Sequence, residues 1–472
     1  MLLPVHIIWS SGRGGGAYYD PNDPTKYGTI FNYNPLTKKQ TTLFSFNGTD
    51  GFEPLCRLLY VPDSLVYGTT NQGGANSMGT VFSFNLKTNT ENVVINYDSA
   101  NGYTNLGVNQ LMQAKNGLIY GTSWMGGKYG AGVIYSYDIH TGKDSVRYNL
   151  LDTVTGSGCY MELWEDTVSG ILYGTTEDGG AGQGVLYGFN PKTNRDSVYV
   201  DFKLSPNNGP YQPRGGLIRA SNGLLYGMSD AGGKPDSGTI YTFNTHSGAM
   251  NMVYQFSGMH GGYPNANELL QLSNGLLYGA TWGGGDAAGD GVLFSFNPSN
   301  NTEKVLVTFN GTDGRIPQGN LVQDPDNGLI YGTTTYGGSA GYGVLFSYDI
   351  TTNTYTKLLD FTGSNGTYPI GLALVDTAIH TGVNSINVPQ GSVKVYPNPG
   401  RGVFTLQINN YGAEAKNVIE IYDVLGEKVY AGSVNSTTTE INLSNQPNGI
   451  YLYRVLTLEG SLIGEGKLVV ER

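Results

Sequence analysis

The five histidines of this chain, His6, His140, His246, His260 and His380, are scattered, and none falls at the H-x-x-x-H spacing that brings two imidazoles to one zinc ion. No Walker phosphate loop is present and no nucleophile elbow is recognised. Carboxylates are numerous but dispersed: Glu177-Asp178, Asp286 and Asp290 among them. A glycosidase needs two such groups facing one bond, and nothing in the spacing selects a pair. Asp20, Asn22 and Asp23 could supply some of the converging oxygens that calcium requires, as a weak candidate site beside the simpler expectation of a solvated turn. No other metal and no cofactor is expected. Trp124, Tyr129, Trp282, Tyr336, Tyr342 and Tyr263, with Tyr103, Tyr211 and Tyr368, are residues that could stack on sugar rings. The alternative is that these rings pack inside the fold.

The elements that must position them repeat. Tyr-Gly-Thr or a near variant begins at Tyr67, Tyr120, Tyr173, Tyr226, Tyr278 and Tyr331, at intervals of 52 or 53 residues. A second motif, Gly followed by Thr or Val and two apolar residues, keeps the same beat at Gly28, Gly79, Gly132, Gly184, Gly238, Gly291 and Gly343. Such self-similarity marks a repeat architecture. One copy reads as four short strands, A to D: residues 320–323, 329–334, 344–348 and 356–361. Asn-Gly between A and B predicts a tight type I′ hairpin. The Gly inside strand B is unusual for a strand interior and predicts a bulge or a close backbone approach beside the next copy.

Four antiparallel strands in about 53 residues describe a β-propeller blade. The N-terminus supplies B, C and D of one copy, with Ile7-Ile8-Trp9 aligned on Leu118-Ile119-Tyr120. Residues 369–374 supply a strand A with nothing after it. The expected fold is therefore all-β: a seven-bladed propeller over residues 1–375, with the split first blade closing the ring. In a meander of this kind the long B–C and D–A loops share one face, which places all nine rings named above on it. Because every copy shares the motifs, function is expected where copies differ.

Composition agrees. Gly is 71 of 472 residues, about twice its usual share. Its fixed places in the repeat speak for turns, not disorder. The net charge of −11 without a basic cluster excludes nucleic acid as a partner. No run of 18 apolar residues exists to span a membrane. Cys56 and Cys159 lie in non-adjacent copies and are expected to be buried thiols. The first residues have neither a basic n-region nor a cleavage site, so a signal peptide is expected to be missing from this chain.

The repeats, clearest at Leu172-Tyr173-Gly174-Thr175-Thr176 with Gly179-Gly180-Ala181 and Gly184-Val185-Leu186-Tyr187, resemble the GloVer tandem repeat of choice-of-anchor bacterial surface proteins. That resemblance implies location more than activity, since the family carries no assigned catalytic residue. After a polar linker, 376–392, residues 393–472 alternate apolar and polar residues, as expected of a small immunoglobulin-like sandwich. They also resemble the type A sorting domain of the type IX secretion system. The matching motifs are Tyr396-Pro397-Asn398-Pro399 with Gly402, Tyr422-Asp423 with Gly426, Pro447 and Gly449 with Tyr451, and Lys467 in the last strand. The resemblance implies handling by the type IX machinery and a secreted or outer-surface location.

A secreted or cell-surface monomer without catalytic activity is the expected function, binding a glycan or another extracellular polymer through the aromatic loop face. A protein-binding scaffold or adhesin is the first alternative. A polysaccharide hydrolase or lyase with carboxylates from different blades is the second.

Overall fold

The computed structural model describes residues 5–13, 27–35, 37–61, 64–103, 110–159, 161–203, 209–265, 267–376, 393–408, 417–423, 428–457 and 462–471. It divides into two compact units, residues 1–378 and 379–472. Among the described residues the only helical pieces are a single turn at Asp152–Thr155 and a 3₁₀ turn at Gly258–His260. Among these residues no helix is long and apolar enough to cross a membrane.

The first unit is a succession of antiparallel sheets, each built from one copy of the repeat. The copy containing Tyr173 is typical: Trp164–Glu165, Leu172–Thr175, Val185–Asn190 and Arg195–Asp201 pair in sequence order as strands A to D. Strand C is buried on both sides for five consecutive residues, which is why it reads as an unbroken apolar run. Strand D is partly exposed along its length. The sheet of Ile330–Tyr336 carries a fifth short strand, Arg315–Pro317. Strand A falls short of its expected length: in this copy it is only Val322–Gln323.

The ends of the repeat region pair with one another. Val5–Arg13 lies antiparallel to Thr367–Asp376, with Ile7 opposite Leu374 and Trp9 opposite Leu372. The register corrects the sequence alignment by one residue. Trp9 faces Phe31 as Gly121 faces Tyr135, so Ile8 occupies the Tyr position and Trp9 the Gly position. The apolar triplet resembled its counterparts closely enough to hide the shift. Trp9 is fully buried against Phe31 and Phe361, with ring centroids 5.7 Å away in each case.

Two further expectations change. The A–B hairpin is not type I′: Gly117, Gly223, Gly275 and Gly328 have positive φ, but the preceding Asn residues do not. Gly117 N–H donates to Ala114 C=O and Ala114 N–H to Leu118 C=O, the pattern of a three-residue loop with a left-handed Gly. The Asn side chain instead spans the turn. Asn116 accepts from Leu118 N–H at 3.1 Å and donates to the Tyr120 hydroxyl at 3.0 Å. Asn222, Asn274 and Asn327 repeat both bonds. The Tyr of the motif is therefore scaffold. The Gly inside strand B marks neither a bulge nor the next copy. A Cβ on Gly121 would lie 2.3 Å from the Tyr135 hydroxyl and 2.8 Å from Leu111, both in its own copy. The strand C ring lies across this Gly, and the register shift falls between strands C and D instead.

The second unit has two antiparallel sheets. Val393–Tyr396, Val403–Ile408 and Thr438–Asn442 form one; Lys428–Val434, Asn417–Tyr422, Gly449–Thr457 and Leu462–Val470 form the other. Alternate residues of both, among them Phe404, Leu406, Ile419, Ile421, Val455 and Leu468, share one core.

Candidate functional site

The loop face is stitched together by the backbone. Tyr263 N–H donates to Ser237 C=O of the preceding copy at 2.7 Å, and Tyr368 N–H to Tyr342 C=O at 3.0 Å. Glu53, Gln212 and Ile316 make the same bond in their copies. All five hold φ between 53° and 57° or close to it, with Tyr263 at 54° and Tyr368 at 50°. In five copies the B–C loop is tied to the incoming loop, as by Gly285 N–H to Gly258 C=O at 3.1 Å. Rings carried here are therefore presented on a fixed backbone.

The structure groups the predicted rings unevenly. Trp282 and Tyr263 are neighbours: Trp282 N–H donates to Tyr263 C=O at 3.0 Å, and both rings are exposed, by 38% and 47%. Tyr211 stands near Tyr263 and donates its hydroxyl to Asp236 at 2.5 Å. One copy further, Tyr336 is exposed and packs on Tyr368 at 5.1 Å, with half-buried Tyr342 at 6.0 Å from Tyr368. Tyr129 is exposed but stands apart from both groups in the chain, with Lys128 Nζ 5.1 Å over its ring. Trp124 is half-buried over Gly158 of the next copy, where a Cβ would come within 2.6 Å of its indole nitrogen. Trp124 and Tyr342 thus act chiefly as packing. Asp20, Asn22 and Asp23 lie outside the described residues, as does Gly426. Among the described residues no three His, Cys, Asp or Glu converge as a metal site. Cys56 and Cys159 are free and buried, and burial pushes both thiols up. The string Gly337-Gly338-Ser339-Ala340-Gly341 has nucleophile-elbow spacing that the sequence reading passed over. It lies in a B–C loop between two strands, with Ser339 N–H donating to Asp360, and not in a strand-to-helix turn.

Sequence reasoning missed two charged clusters. Arg57 donates from Nη1 to Glu268 at 2.8 Å and from Nη2 to Glu162. These partners are 211 and 105 residues away, four and two copies along the chain. All three residues precede the Leu that stands just before strand A (Leu58, Leu163, Leu269), so one register position brings alternate copies together. That shared position was the available signal. Side-chain exposures are 23%, 12% and 15% for Arg57, Glu162 and Glu268. Gln110, Gly216, Asn320 and Gly371 hold the same position in the other copies. Asn320 bonds the backbone of Leu372, and a Cβ on Gly371 would lie 2.6 Å from the Arg57 backbone. A cavity of ≈ 330 Å³ opens beside Arg57, Glu268 and Asn320. The second cluster joins Arg214 to Asp230 at 3.0 Å and to Glu177 of the preceding copy.

Burial raises the Glu268 carboxyl to about 7, with the Glu162 charge adding to it and Arg57 opposing. Burial also raises Glu162. A carboxyl whose folded pKa stands above its ordinary 4.5 adds stability that is complete below pH ~4.5 and lost as pH rises through about 7. Glu268→Gln removes that titration. Its stability relative to the native chain should therefore improve between pH 5 and pH 8 in urea melts. A difference independent of pH would contradict the assignment.

In the second unit the motif residues support local structure. Asn398 accepts from Val469 N–H at 2.9 Å and donates to Lys467 C=O at 2.6 Å. Tyr422 donates to Glu420, which also receives Lys428 and Arg454 and is held down to about 2, first by Lys428. Tyr451 donates to Pro447 C=O at 2.8 Å.

The fold is similar to that of solved structures at low identity. A provisional 6-phosphogluconolactonase from Bacteroides fragilis is 16% identical, with TM-score 0.51 over 79% of this chain and 98% of that one. A second, from Bacteroides uniformis, is 12% identical, with TM-score 0.50 over 79% and 99%. A hypothetical selenium-binding protein from Sulfolobus tokodaii is 13% identical, with TM-score 0.51 over 79% and 94%. These likenesses concern the fold alone. No curated protein matches the sequence. The Gloeobacter/Verrucomicrobia repeat matches residues 13–182, 105–286 and 162–394, and the secretion system C-terminal sorting domain matches 394–471. The chain belongs to the Gloeobacter/Verrucomicrobia repeat family and ends in a secretion-system sorting domain.

Proposed function

We propose that this is a protein exported by the type IX system whose repeat unit binds an extracellular glycan through its loop face, without catalysis. The sorting domain supports the route and the surface or extracellular destination. In this reading the repeat sheets close as seven blades, the split copy joining the ends, and the tail is an immunoglobulin-like sandwich separated by the 376–392 linker. The observation that carries the binding role is the pair Trp282 and Tyr263, two exposed rings carried on segments joined by a backbone hydrogen bond, with Tyr336 in the following copy. Exposed rings on rigid loops offer apolar faces to sugars at little entropic cost. A glycan array probed with the full chain tests it, and specific signals are the expected result. A blank array from folded protein would move the search to protein partners, as for an adhesin.

A further inference from the structure

The opposite face carries a second candidate. Between the copies of Tyr173 and Tyr226, at the short-turn end, lies a pocket of ≈ 420 Å³, within the range of small-ligand sites. The Tyr173 copy departs from the others at this place. Gly188 stands where other copies have Asn32, Ser83, Ser136, Thr242, Ser295 and Ser347. Tyr199 stands at the strand D bulge, where the others carry Leu43, Val94, Arg147, Val253, Leu306 and Leu358. The two changes belong together: a Cβ on Gly188 would lie 2.7 Å from Tyr199 Cε2. The missing side chain lets the Tyr199 ring lie across strand C, 5.5 Å from Tyr173 and 5.6 Å from Phe243, while 38% of it stays exposed. Ser169 replaces the Asn that caps the motif Tyr in four copies and donates instead to Asp166 at 2.9 Å. Arg219 replaces a Gln found in three copies and meets Asp166 at 3.4 Å.

We propose that this pocket binds a neutral hexose unit of a polysaccharide, stacked on Tyr199. The ring supplies an apolar platform, and Arg219, Asp166 and Ser169 supply donors and acceptors for hydroxyls. Because Arg219 and Asp166 balance each other, the site holds no excess charge for an acidic sugar. The proposal shares the glycan-binding reading but uses the other end of the sheets.

Titration on a Trp282→Ala/Tyr263→Ala background separates the two sites. The probes are maltohexaose, cellohexaose, mannohexaose and a galacturonate hexamer. Binding of at least one neutral hexamer is expected, about tenfold weaker in Gly188→Ser/Tyr199→Val. That double variant restores the Ser83 and Val94 combination of another copy, so it should fold. An Arg219→Gln variant should also weaken binding. No neutral hexamer bound, equal affinity in the double variant, or binding of galacturonate alone would overturn the proposal. Loss of array signals in the loop-face variant with pocket binding intact would leave both readings standing.

Discussion

Replacing Arg57 with Met should destabilise the repeat unit by about 3–5 kcal/mol, the cost typical of removing one partner from a buried ion pair. Arg57 is the sole cation bonded to Glu162 and Glu268 among the described contacts, and both carboxylates are largely shielded from water. Met retains most of the aliphatic volume, so lost packing is a minor part of the effect. The damage is two glutamates left in a weakly solvating site, each already driven toward the protonated form. Lowering the pH should therefore rescue Arg57→Met, since protonation removes the unpaired charge. Adding Glu162→Gln and Glu268→Gln should recover much of the loss at pH 8, because neutral amides need no cation. Denaturant melts of Arg57→Met and of the triple variant, at pH 5 and pH 8, check this. An Arg57→Met protein as stable as the native chain would show that the three residues do not hold one another.

The second large effect is expected at the Gly before strand C. Gly291 has φ 92°, and a Cβ there would lie 2.3 Å from Thr281 C=O and 2.8 Å from Pro317 of the next copy. Its equivalents Gly28, Gly238 and Gly343 meet Pro54, Pro264 and Pro369 in the same way. Gly291→Ala combines a backbone conformation that side chains resist with a clash against main chain, and should cost about 3 kcal/mol. A substitution at Gly223 is a useful contrast, because nothing lies within 4 Å of a Cβ there. Gly223→Asn, a residue tolerant of positive φ, should cost much less. Equal losses at the two positions would contradict the steric account.

The strand pattern was legible because its causes are local. Alternation, turn residues and the period all sit within one copy, and strands B, C and D appear close to where they were read. Strand A of the Tyr331 copy was over-read, since only Val322-Gln323 keep ladder geometry before the chain turns. Trp9 was misplaced because an apolar triplet carries no register of its own; the Phe31 ring opposite it does. The strand B Gly was noticed but not understood, as its reason is a ring on the neighbouring strand. The site was less legible still. Exposure of Tyr263, Trp282 and Tyr336 and packing of Trp124 depend on neighbouring copies, which the sequence does not place. The Arg57 cluster needs three copies at once. Its signal, one Arg and two Glu at a shared register among Gln, Asn and Gly, becomes visible only after the copies are aligned.

The most direct test of the glycan-binding claim is a titration of the strongest array ligand into the full chain and into Trp282→Ala/Tyr263→Ala. The account predicts saturable binding to the native chain, weakened about tenfold or more in the variant, with unchanged thermal unfolding. Unchanged affinity in a variant that lacks both rings would contradict it.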